Sequence, residues 1–438
     1  MQFSCKSTPG LAVYFGGMAQ SKNVVSVIFQ CTAVAAVVTF AFLTFGYSLA
    51  FSPAVGRNDS NAVVGTYEEF WFHSIKFESA HQIAPNIPET VFVMYQLSFA
   101  ILTCVLIVGC FEGRAKFGAL ISFLIVWHLI VYCPIVHWNW HPDGFLFRLG
   151  VLDAAGGNVV HISSGWAGFI GTIIIGNRKK FDKATIVPHS INMVILGLSM
   201  LWVGWFGFNG GASYSAGANA GMAVLVTQLS ASMAMLTWIS FDRLYFKRFQ
   251  LTGCLKGILC GLIAITPGSA FVDCNGGIFI GVISGAACFS ASLLKVRYNI
   301  DDYYDAFGLH VVGGAMGGIL VAFFAQKNIC GMAEHCVDGI LFTSSNMGWK
   351  LLGYQLVGIL VTSLYSLAMT YFIIKLVDKV VVFRVTEQEE KEGLDMKLHG
   401  SSHENAFSDV DEVPDHHKPF YNLENLEMSG NQGSIDDI

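Results

Sequence analysis

Long apolar runs broken by short polar stretches dominate the chain. Runs recur at 23–51, 89–111, 117–139, 156–176, 190–208, 217–241, 251–271, 275–294, 306–325 and 350–377. An α-helix crosses a hydrocarbon core in about 20 residues, so each run is close to a span in length. Lipid offers no partner for backbone N–H and C=O groups, and a spanning segment must bond internally; each run therefore predicts a helix. Small residues crowd several of them, as in Gly165-Trp166-Ala167-Gly168 and Gly313-Gly314-Ala315-Met316-Gly317-Gly318. Such residues let membrane helices approach closely, which predicts a tightly packed bundle. Met1 to Gly17 is too short and polar for a full span, and Pro9-Gly10 falls where a signal peptide would be apolar. It reads as the end of a helix whose beginning is absent.

Composition turns this pattern into a class. Hydrophobic residues make up 53% of the 438 and charged ones 13%, with a mean hydropathy of +0.55. Soluble domains carry roughly 25% charged residues, so this surface must face lipid. The expected organisation is a membrane domain over 1–380, a short tail segment over 381–400 and an acidic end over 401–438. From residue 385 onward there are 14 acidic and 3 basic residues, against 17 and 22 in the remainder. A mildly basic membrane body with an acidic tail excludes nucleic acid as a partner class. Ser, Glu, Asp, His and Asn dominate the last stretch, which is expected to be disordered.

Loop charge sets the orientation. One set of alternate loops holds Lys22, Arg114, Lys116, Arg178, Lys179, Lys180, Lys183, Arg243, Lys247, Arg248, Lys295 and Arg297; the other holds Arg57, Lys76, Arg148 and Lys327. The richer set is expected on the cytoplasmic side, together with the tail. That places the 52–87 loop outside, where Asn58-Asp59-Ser60 forms a glycosylation sequon with Asn58 as the acceptor. An even number of spans puts both termini inside; counting the N-terminal fragment puts the N-terminus outside. The eleven cysteines lie mostly in apolar runs, without a CxxC pair. Cys330 and Cys336, in a hydrophilic loop, are a candidate disulfide if that loop is extracellular.

Ionisable groups inside membrane segments are costly and mark function by default. His161 lies in Gly156-Gly157-Asn158-Val159-Val160-His161, and His310 in Phe307-Gly308-Leu309-His310. Each follows an aspartate near its helix start, Asp153 and Asp305. Spacing alone leaves two readings open: two core histidines bonded to backbone carbonyls, or a functional pair. A membrane metalloenzyme would need more ligands clustered nearby, and the pair sits among Gly, Val and Ile; no metal, cofactor or enzymatic activity is expected. Leu11-Ala12-Val13-Tyr14-Phe15-Gly16-Gly17 is similar to Trp205-Phe206-Gly207-Phe208-Asn209-Gly210-Gly211. With a histidine in each half, this hints at an inverted duplication with a path at the repeat interface.

Ordered motifs along nearly the whole chain resemble the ammonium transporter family, the Amt/Mep/Rh group, and within it the Amt/Mep branch. They are Pro9-Gly10-Leu11 through Lys22-Asn23, Ile107-Val108-Gly109 through Phe117, Cys133-Pro134-Ile135-Val136-His137-Trp138, Leu152-Asp153 through Gly165, Gly204 through Asn209, Ala264-Ile265-Thr266-Pro267, and Asp305 through Gly314. Gly393-Leu394-Asp395 with His399-Gly400 matches the tail. The resemblance implies an all-α bundle of 11 transmembrane helices, here with the first truncated, as an inverted repeat of 5+5. It also implies a plasma-membrane homotrimer with one pore per subunit, carrying ammonium or ammonia, and a cytoplasmic tail that could meet a regulatory protein. By position, His161 and His310 are the paired pore histidines, and Phe99 and Phe208 the stacked gate. Trp140, Tyr95 and Ser213 fall at the outer recruitment site, and Asp153 at a helix-orienting position beside it. Two departures stand out: Ala212 occupies the place where the family usually has the recruiting serine, with Ser213 next, and Lys397 replaces a regulatory threonine. Passive ammonia conduction and an ammonium sensor signalling through the tail are the alternative functions.

Overall fold

The computed structural model describes residues 4–52, 61–73, 75, 78–179, 188–330 and 336–400. The sequon residue Asn58 and the acidic end over 401–438 lie outside them. Apart from two isolated β-bridges, the regular structure among the described residues is helical. Among the described residues, nine helices are long and apolar enough to cross a membrane. In chain order the helices are α1 (Ser7–Met18), α2 (Ser21–Phe51), α3 (Glu89–Cys110), α4 (Phe117–Leu149), α5 (Gly157–Ile175), α6 (Ile191–Gly211) and α7 (Ala218–Phe246). They continue as α8 (Leu251–Ile265), α9 (Cys274–Lys295), α10 (Ala306–Phe324) and α11 (Met347–Val380), then two short tail helices, α12 (Glu387–Glu392) and α13 (Leu394–His399). The nine exclude α1 and α8, which are shorter.

α11 shows how the bundle inverts the pattern of a soluble core. Leu356, Leu360, Leu364, Phe372 and Leu376 are exposed, whereas Gln355, Gly358, Thr362, Ser366 and Thr370 are buried. The buried stripe repeats every three to four residues, one helical face. Its polar atoms are used between helices: Ser366 Oγ donates to Ser163 O (2.6 Å), and Trp127 Nε1 donates to Thr370 Oγ1 (2.9 Å). Gln355 both donates to Leu152 O (2.8 Å) and accepts from Leu152 N (3.0 Å). Small and hydroxylic residues inside, aliphatics outside, is the arrangement that lipid favours.

The two segments whose similarity suggested duplication lie on helices that pack against each other. A Cβ on Gly10 would sit 2.9 Å from Leu201 N, and one on Gly17 2.6 Å from Val194 N. Conversely, a Cβ on Gly197 would run into Tyr14 N, and one on Gly204 into Ser7 Oγ. Backbone therefore meets backbone along the α1–α6 seam.

α11 ends at Val380, and the segment after it folds back onto the face that carries the richer basic set. Val385 N donates to Arg114 O (2.9 Å) and Lys116 N to Phe383 O (2.9 Å). Lys22 Nζ donates to Glu390 O (2.6 Å), and Arg384 pairs with Glu390 (2.9 Å). The Asp395 carboxylate accepts from Val25 N (3.0 Å) and Ser26 N (2.7 Å) at the start of α2, where the helix dipole favours a negative charge. Asn23 accepts from Leu394 N (2.9 Å) and donates to Glu112 (2.8 Å). Cys330 and Cys336 are bonded to each other, with Cα atoms 6.1 Å apart.

Candidate functional site

Both histidines stand on the same local device. α5 opens with a π-helical turn, Gly157–Ile162, and α10 with another, Ala306–Val311. In each, the histidine is the fifth of six residues. The residue before each turn is left-handed, Gly156 at φ 108° and Asp305 at φ 64°. Widened π turns push a side chain off the regular helical course and often lie at functional sites.

A carboxylate eight residues before each histidine holds each turn. Asp153 accepts from Gly156 N (3.0 Å), Gly157 N (2.6 Å), Asn158 N (2.8 Å) and Val159 N (3.3 Å). Asp302 accepts from Ala306 N (2.8 Å) and Phe307 N (3.0 Å). These N–H groups would otherwise be unsatisfied at a buried helix start. The counterpart of Asp153 is therefore Asp302, which replaces the pairing with Asp305 expected from sequence. Asp305 instead sits at the position of Gly156, and its side chain binds Lys295 (2.8 Å), Lys256 (3.0 Å) and Ser292 Oγ (2.6 Å). The spacing Asp-x7-His, present twice, was the signal in the sequence.

The two turns bring the imidazoles together: His161 Nδ1 and His310 Nδ1 are 3.2 Å apart, both side chains buried. At that separation one nitrogen donates and the other accepts, so the tautomers of the two rings are linked. The His161 ring is stacked on Trp205, with centroids 5.4 Å apart and planes 7° apart.

Trp205 also touches Phe208, with centroids 6.1 Å apart, and so links the pair to a run of aromatic rings. Phe99 and Phe208 meet edge-on at 4.3 Å between centroids, and Phe99 also touches Trp140 at 5.1 Å. Trp140, Asn139, Asp153, Ala212, Ser213 and Tyr214 line a vestibule beyond them. Trp140 is fixed by its Nε1–H, which donates to Asp153 O (2.7 Å). Ser213 Oγ is buried with no hydrogen-bond partner among the described residues. Tyr95 is placed differently from the expectation of an outer cage: it is buried, its hydroxyl donates to Phe208 O, and the vestibule is lined by Tyr214 instead. Tyr95 thus braces Phe208. Leu106, Leu201, Leu259, Tyr14, Tyr304 and Trp205 line a narrow, mainly apolar cavity against His310.

Beyond that cavity the charges are paired. Arg178 binds Glu112 (2.9 Å) and Asp301 (2.5 Å), and Arg114 lies 3.4 Å from Asp301. Burial pushes the Asp301 carboxyl up, but the Arg178 hydrogen bond and the charges of Arg114 and Arg178 outweigh it and hold the group below the usual carboxylate range. Among the described residues no group of three or more His, Cys, Asp and Glu side chains could hold a metal ion.

These features together define a polytopic membrane protein with an aromatic-lined vestibule, a narrow and mainly apolar cavity, and two buried histidines within hydrogen-bonding distance. The model of the Ammonium Transporter Family matches residues 3–404, and the chain belongs to that family. It is 38% identical over 403 residues to a protein named Ammonium transporter from Bacillus subtilis, covering 92% of this chain and 95% of that one. The crystal structure of Saccharomyces cerevisiae Mep2 superposes with a TM-score of 0.80 at 32% identity, over 88% of this chain and 85% of that one. A structure described as a Sensor Amt Protein superposes with a TM-score of 0.81 at 27% identity, over 91% and 96%.

Proposed function

We propose that this chain is an ammonium transporter of the plasma membrane, working as a homotrimer with its tail in the cytoplasm. In this reading α1 and α8 complete a set of eleven spans arranged as an inverted 5+5 repeat. Ammonium is held at the vestibule by the ring face of Trp140 and the free hydroxyl of Ser213. Attraction between a cation and an aromatic face is worth about 0.5–2 kcal/mol, too little to carry a bare cation through the apolar column. Loss of water favours the uncharged form, so the cation gives up its proton to vestibule water before the Phe99–Phe208 pair and ammonia passes. The proton moves separately along the histidine pair, where one ring donates as the other accepts. Tyr95 acts through Phe208, and Asp153 and Asp302 position the two histidine turns.

The observation that carries this reading is the buried His161–His310 contact at 3.2 Å, linked through the Trp205 ring to Phe208 of the phenylalanine pair. Methylammonium uptake by cells lacking their own transporters tests it: uptake dependent on this chain supports it, and none sinks it. An ammonium-dependent current in reconstituted membranes separates net charge movement from passive ammonia conduction.

A second reading is favoured by the likeness to the Sensor Amt Protein and by a tail locked into the loops near the inner cavity: an ammonium sensor that signals through that tail, or through a regulatory protein bound to it. Deleting residues 401–438 discriminates. Lost signalling with normal uptake supports the sensor; unchanged behaviour supports transport alone.

A further inference from the structure

The His161 ring plane is set by Trp205, and Trp205 is in turn held by one hydroxyl. Trp205 Nε1 donates to Thr266 Oγ1 (2.9 Å), and Thr266 Oγ1 donates to Leu262 O (2.8 Å) one turn back on α8. A hydroxyl has one proton, and here it is spent on Leu262, so the oxygen faces the indole as an acceptor. An indole has only one polar atom, its N–H donor. Fixing that atom selects one of the two edge-to-edge flips of the ring and so the face presented to His161. Both Trp205 and Thr266 are buried, at 2% and 1% exposure, and water cannot replace either partner.

Thr266 reaches His161 by a second route. Its carbonyl accepts from Ala155 N (3.2 Å), and the next carbonyl, Pro267 O, accepts from Ala154 N (3.0 Å). Ala154 and Ala155 join Asp153 to the left-handed Gly156 that starts the His161 turn. One residue at the end of α8 thus fixes both the backbone that leads into the histidine turn and the plate on which the imidazole is stacked. The Nδ1–Nδ1 contact depends on both, because a hydrogen bond weakens steeply as its angle departs from linear.

We infer that Thr266 is a positioning residue for the histidine pair, acting through Trp205 to align the His161 ring with His310. The inference rests on the transport reading only for its effect on uptake. Its structural part stands on the Thr266–Trp205–His161 chain and is read out without substrate.

The test uses the full chain in liposomes, with Thr266→Val, Thr266→Ser and Trp205→Phe. Valine keeps the branched shape and removes the acceptor, leaving a buried indole N–H unpaired. Ring-nitrogen NMR of labelled histidine should show the His161–His310 signals displaced in Thr266→Val and at their normal positions in Thr266→Ser. Methylammonium uptake should fall about five-fold in maximal rate in Thr266→Val, with unchanged half-saturation, and recover with serine. Trp205→Phe retains a stacked ring but has no N–H; it should displace the same signals, and it carries the test if the valine variant does not fold. Unmoved histidine signals in the variants overturn the inference, as does a serine variant that behaves like valine. Displaced signals in a chain that transports nothing would leave the positioning role intact and remove the transport reading instead.

Discussion

His161 and His310 occupy one place in two copies of the same local structure. Each is the fifth residue of a six-residue π turn, each lies eight residues after an aspartate that accepts the turn's free N–H groups, and their Nδ1 atoms meet at 3.2 Å. Removing either ring leaves the other without its proton partner. His161→Ala and His310→Ala are each expected to lower methylammonium uptake by about ten-fold or more. Uptake at the wild-type rate in both variants would refute the shared-proton role.

The two carboxylates should matter through position. Asp302→Ala leaves the N–H groups of Ala306 and Phe307 unpaired in a buried helix start, at about 1–3 kcal/mol. A lower melting temperature and displaced His310 signals are expected, with His161 signals moving less. Equal displacement of both would show that the two turns are not separately held.

Trp140 lines the vestibule. Trp140→Leu removes a cation–aromatic attraction of about 0.5–2 kcal/mol, so half-saturation for ammonium should rise about 2- to 30-fold. The maximal rate should change less, because the ring lies outside the phenylalanine pair. Uptake measured across a range of ammonium concentrations separates the two parameters.

Asp395 joins the tail to the start of α2. Asp395→Asn loses the charge that two backbone N–H groups share, costing about 1.5–3 kcal/mol locally. Trypsin should then cut at Lys391 and Lys397 faster than in the wild type, while the spans stay protected. Unchanged cleavage would assign the docking to Lys22, Arg384 and Glu390 instead.

Asp301 has a native pKa held below its unfolded value by Arg178 and Arg114. Its stabilising contribution is therefore fully present above the unfolded value, about 4, and is lost as pH falls through the lower native one. Melting temperature should be level at neutral pH and decline below about pH 4, and Asp301→Asn should be less stable at pH 7 with a flatter acid limb. Thermal unfolding in detergent across pH checks both.

Much of this was legible in the chain. The apolar runs mark the helices because span length and backbone pairing leave little choice, and boundaries such as 156–176 against Gly157–Ile175 differ by a residue. The run at 251–271 is longer than α8, because Thr266 and Pro267 leave the helix to bind Ala155 and Ala154. Such long-range backbone bonds have no signature in hydropathy. Asp302 was readable from a repeated spacing, yet Asp305 lies nearer the helix start and drew attention first. Tyr95 and Tyr214 could not be ranked from sequence, since both are aromatic residues near the end of a helix and only packing turns one inward. Trp205 and Thr266 are 61 residues apart, and nothing in either segment announces their bond.

The glycine seam between α1 and α6 has a mechanical consequence. Helices that touch through their main chains have no side-chain layer to deform, and sliding or parting them would sacrifice many contacts at once. The two helices are in effect welded at their crossing. A substitution as small as Gly197→Ala would drive a methyl group into the α1 main chain at Tyr14 and wedge the two helices apart.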